Sequence, residues 1–108
     1  MTEPADATSS SREHRTPEGA IVRVLPIVNS KGLHARAAAQ FVLTVEKFDA
    51  EVTVTRGHET VGGTSIMGLL MLSAAPGTSI TVTAAGAQAT DVMAALEALV
   101  AGRFGEDE

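Results

Sequence analysis

No cysteine, tryptophan or tyrosine occurs in this 108-residue chain, and its aromatic hydrophobics are three phenylalanines. The lack of thiols excludes disulfides and cysteine-ligated zinc, and a small domain without bridges is expected in a reducing compartment, the cytoplasm. Eight Lys and Arg against thirteen Asp and Glu leave a net charge of −5. Nucleic acid is therefore not an expected partner, because its recognition calls for clustered cations and stacking aromatics, both scarce here. No apolar run approaches the length of a membrane span, and the first nineteen residues lack a signal-peptide pattern. The three histidines, His14, His34 and His58, are too scattered to form a metal site, and no cofactor is expected.

What is present is enough for one modest core, since 44% of the residues are hydrophobic. Residues 1–19 mix charge with Ser, Thr and Pro and develop no apolar period, so a disordered extension is expected there, followed by a domain over 20–104 and a flexible acidic tail over 105–108. The β-branched run 21–25 predicts a strand, and Pro26 places it at a sheet edge or marks its end. From Ala35 the apolar residues Ala38, Phe41, Val42, Val45 and Phe48 recur at helical spacing. Residues 51–55 alternate as a half-wet strand, 56–59 turn, and Thr60-Val61 begins a return strand. Ser65 stands as N-cap before the short apolar helix 66–72, with Ile66 and Leu69 expected in the core. A second alternating strand, 79–84, precedes a helix over about 88–101 with Val92, Leu96, Leu99 and Val100 on one face and Gly102 at its C-cap. This β-α-β-β-α-β-α order predicts an α+β fold, an open-faced β-sandwich with a four-stranded antiparallel sheet and three helices on one face.

The chemistry concentrates at Gly32-Leu33-His34-Ala35-Arg36, where a glycine-broken loop turns into an alanine-rich helix. A helix start supplies unpaired N–H donors and the positive end of the dipole, Arg36 a fixed cation, and His34 a nucleophilic nitrogen. Together these suit a phosphoryl group. The dipole is worth about 0.3–1 kcal/mol and a charged hydrogen bond about 1.5–3 kcal/mol, enough to steady the group.

That segment resembles the active-site signature of HPr, the histidine-containing phosphocarrier of the phosphoenolpyruvate-dependent phosphotransferase system. Ser65-Ile66-Met67-Gly68 likewise resembles the family's regulatory serine segment, and the resemblance runs from about Ile21 to Phe104 in the same element order. It implies that His34 accepts a phosphoryl group on Nδ1 from enzyme I and passes it to an enzyme IIA domain, with Arg36 stabilising it. It further implies phosphorylation of Ser65 by HPr kinase/phosphorylase and a partner-binding surface of Leu33, Met67, Leu70 and Met71. Such a chain is a carrier, not an enzyme, and is expected to act as a monomer. Ala37 stands where HPr proteins commonly have proline; alanine keeps the helix and adds an N–H. The alanine-rich first turn is similar to HPr of nitrogen-related or alphaproteobacterial regulatory systems.

A second reading stands beside this one: a regulatory binding module that acts through Ser65 and the adjacent apolar patch, with no phosphoryl exchange at His34. Helical spacing alone does not separate core from docking roles for Met67, Leu70 and Met71. His58 reads as a turn residue, Arg23 and Arg56 as surface charges, and Asp49, Glu51 and Glu97 show no paired-carboxylate spacing.

Overall fold

A computed structural model describes residues 19–106. The expected extension therefore falls, but for Gly19, outside the described residues, as do His14 and the last two residues of the expected tail. Four strands, β1 (Ile21–Pro26), β2 (Glu51–Arg56), β3 (Glu59–Gly62) and β4 (Ser79–Ala85), form one sheet in the order β1-β4-β2-β3. Every pairing is antiparallel, with Val24 opposite Thr81, Val54 opposite Val82 and Thr55 opposite Thr60. Pro26, which has no N–H to give a ladder, ends the edge strand β1. Gly57 and His58 form the turn of the β2–β3 hairpin, narrower than the four residues expected, because Arg56 and Glu59 already pair across it.

Three helices, α1 (Ala35–Val45), α2 (Ile66–Met71) and α3 (Ala89–Ala101), provide the apolar side chains that meet the sheet. The period-2 pattern delivers Val52, Val54, Ile80, Val82 and Ala84 to that interface, where Phe41, Leu69, Val92, Leu96 and Val100 close over them. Each of these side chains larger than alanine contributes about 1.5–3 kcal/mol on burial, so this layer dominates stability over any surface pair. Helix α1 stops at Val45, short of the expected end, and Phe48 reaches the core from the following turn. Met93, not among the expected core residues, is buried, while Leu99 is only partly so.

The end of the domain departs most from expectation. Gly102 is the C-cap of α3, but the left-handed residues come after it: Arg103, Phe104 and Gly105 have φ of 59°, 55° and 78°. A left-handed turn built on two non-glycine residues is uncommon, and Phe104 holds it in place by burying its ring in the core with 1% exposed. Gly105 and Glu106 are consequently not a loose tail; the chain turns back toward the start of α1.

Candidate functional site

Two turns of loop bring His34 to the head of α1. Asn29 is fully buried, and its Nδ2 donates to the Gly32 carbonyl at 2.8 Å, closing the loop as a side-chain turn. Gly32 has φ of +68°, and a Cβ there would lie 2.7 Å from the Ala74 carbonyl oxygen, so both conformation and space select glycine. The Leu33 N–H donates to that same carbonyl at 2.9 Å, tying the loop to the segment after α2. Leu33 is 5% exposed and belongs to the core, which corrects its expected place on a docking surface: the tie to Ala74 turns the side chain inward.

His34 is the N-cap residue of α1, extended at φ −85° and ψ −177°, and its side chain makes no capping hydrogen bond. Because the first helical bond runs from the Ala38 N–H to the His34 carbonyl, the N–H groups of Ala35, Arg36 and Ala37 form the open end of the helix. The imidazole is 27% exposed and its Nε2 is bonded to Oε2 of Glu106. Asn29 Nδ2 also donates to the other carboxylate oxygen, Oε1, at 3.1 Å. Hydrogen bonds from His34 first and Asn29 second, reinforced by the charges of His34 and Lys31, hold the Glu106 carboxyl below its ordinary value against a smaller opposing effect of desolvation. Arg36 is exposed and, among the described residues, its guanidinium has no side-chain partner; together with Lys31, Gln40 and Glu106 it lines a groove at this end of α1.

Ser65 caps α2 as expected, its Oγ accepting from the Gly68 N–H at 2.9 Å. Gly68 suits this geometry, since a Cβ there would approach both Ser65 Oγ and Val61 Cβ to 2.9 Å. At the other end Arg56 Nη1 donates to the Leu72 carbonyl at 3.1 Å, so this expected surface charge satisfies an orphan acceptor of α2. Leu69 is core, but Ile66, expected beside it, is 42% exposed; on so short a helix only one side faces the sheet. Met67 and Met71 are 69% and 70% exposed, and Leu70 is partly buried against the core. The patch beside Ser65 is thus Ile66, Met67 and Met71.

Three residues of the site went unnoticed in the sequence: Asn29, Lys31 and Glu106. One signal was available for Glu106, a phenylalanine just beyond the α3 cap, since an apolar ring there anchors the chain and with it the next carboxylate. Among the described residues no helix is long and apolar enough to cross a membrane, and no group of three metal-ligating side chains occurs.

The family described as PTS HPr component phosphorylation site matches residues 21–102. A phosphocarrier protein HPr of Neisseria meningitidis is 48% identical over 84 residues, 78% of this chain and 94% of the relative. A phosphocarrier protein NPr of Shewanella violacea is 39% identical over 84 residues, 78% of this chain and 92% of its own length. Among solved structures, HPr of Thermoanaerobacter tengcongensis superimposes with a TM-score of 0.78 at 34% identity, covering 82% of this chain and 99% of that one.

Proposed function

The chain belongs to the HPr family of phosphocarrier proteins of the phosphotransferase system, and from that premise we propose that His34 is the residue that carries the phosphoryl group, received from enzyme I and passed to an enzyme IIA domain. The observation that carries this reading is a partly exposed imidazole at an uncapped helix start, with Arg36 open beside it. The Nδ1 lone pair attacks phosphorus, the donor's P–N bond breaks, and its electron pair returns to the donor's imidazole. The transferred phosphoryl oxygens carry roughly −2 of charge, which the open amides of α1 and the Arg36 guanidinium meet. Lys31, on the same groove, adds a second cation.

Ser65 is the proposed regulatory site, a substrate for HPr kinase/phosphorylase. A phosphate there stays compatible with α2, because it meets the positive end of the helix, and acts instead on the exposed Met67 and Met71 surface by adding charge that docking must desolvate. The domain works as a single copy in a cytoplasmic relay, exposing His34 to successive partners.

Incubation with phosphoenolpyruvate and enzyme I tests the carrier role. One acid-labile phosphoryl group per chain, abolished by His34→Ala, is the expected result. Docking without any phosphoryl uptake would instead identify a regulatory binding module.

A further inference from the structure

His34 is held by a carboxylate, and that carboxylate is itself held. Glu106 comes to the ring from 72 positions away in sequence, through the turn in which buried Phe104 adopts left-handed φ. Its second oxygen is fixed by Asn29, a fully buried side chain that also closes the loop carrying His34. Asn29 Oδ1 is buried without a partner among the described residues, so a polar side chain has been placed in the interior at the expense of one unsatisfied acceptor. Such a cost is not needed to stabilise a surface contact. The pair of Arg23 with Glu97 at 3.5 Å, largely exposed, shows what an ordinary surface pair in this domain looks like.

We propose that Glu106 is a positioning residue for phosphoryl transfer: accepting a hydrogen bond from Nε2–H of His34, it leaves Nδ1 as the nitrogen with a free lone pair and stabilises the charge that develops on the ring. An ionised carboxylate can only accept, so the hydrogen of this contact resides on Nε2, and in the neutral ring Nδ1 is then unprotonated. As the Nδ1–P bond forms and the donor's N–P bond breaks, the donor nitrogen keeps the departing electron pair and the His34 ring becomes more positive. The Nε2 proton stays in place, facing the Glu106 carboxylate. In the onward step the charge flows back, and no proton has to leave or enter the ring. The same division of labour, one carboxylate fixing a tautomer so that the other nitrogen can react, operates in hydrolytic triads.

This inference rests on the carrier reading, and the test separates the two. Two-bond 15N–1H correlation spectra of the His34 ring at mildly alkaline pH, recorded on the wild type, Glu106→Gln and Glu106→Ala, read the tautomer directly. Single-turnover transfer from phosphorylated enzyme I reads the rate. The wild type is expected to show protonated Nε2 and bare Nδ1. Glu106→Ala is expected to shift toward a tautomer mixture and slow transfer about tenfold, equivalent to about 1.4 kcal/mol of lost transition-state stabilisation. Glu106→Gln, which keeps an acceptor but not the charge, is expected to retain the tautomer and lose only part of the rate. An Nδ1–H tautomer in the wild type, or Glu106→Ala with unchanged ring shifts and unchanged rate, overturns the proposal while normal uptake leaves the carrier reading standing. No uptake by the wild type overturns the carrier reading and this proposal with it.

Discussion

The N-termini of α1 and α2 are chemically opposite. At α2, Ser65 turns its hydroxyl onto the Gly68 N–H and closes the helix end; at α1, His34 occupies the same cap position, but its side chain makes no bond to the helix amides. A serine-type cap is worth about 1 kcal/mol, so α1 forgoes that much stability to keep its amides available, while α2 takes it and carries its exposed methionines beside the closed end. On the proposed reading the open end receives the phosphoryl group and the capped end is where modification regulates.

The strongest way to break this contrast is His34→Ala, which should abolish phosphoryl uptake, read as mass gain after reaction with phosphoenolpyruvate and enzyme I; retained uptake would mean that the open helix end is not the acceptor. Gly32→Ala should destabilise the domain by about 2 kcal/mol or more in urea unfolding, since the new Cβ meets the Ala74 carbonyl and φ is +68°. Ser65→Ala should cost about 1 kcal/mol in the same measurement while phosphoryl uptake continues, the converse of His34→Ala. Placing a cap at the open end, as His34→Ser in a Glu106→Gln background, should restore about 1 kcal/mol relative to that background while leaving no carrier, which sharpens the trade between the two ends. The smallest effect is set by pH. The Glu106 carboxyl lies below its ordinary value of 4.5 in the folded chain, so its docking contributes stability above that value and loses it as pH falls through the lower folded value. The Glu106 carboxyl 13C resonance should titrate on the acid side of 4.5.

Much of this was legible because it is local. The edge strand is written in β-branched residues ending at Pro26, the α2 cap in Ser65, and the three-helix count in apolar period. Boundaries set by pairing were less so: the hairpin turn shrank to Gly57-His58 because cross-strand register, not composition, decides where a turn begins. Ile66 turned outward because spacing states which residues share a face, not which face the neighbours cover, and Leu33 turned inward because its loop is tied to Ala74, a contact distant in sequence.

By itself the sequence determined the open-faced sandwich, the placement of His34 and Arg36 at a helix start, and the capped serine, since each depends on periodicity or on contacts within a few residues. Only the tertiary structure decided which groups surround the imidazole. Glu106 reaches it from the far end of the chain because Phe104 buries its ring and holds a left-handed turn; the phenylalanine past α3 signals an anchor, but where that anchor aims the next carboxylate is a property of the packed core.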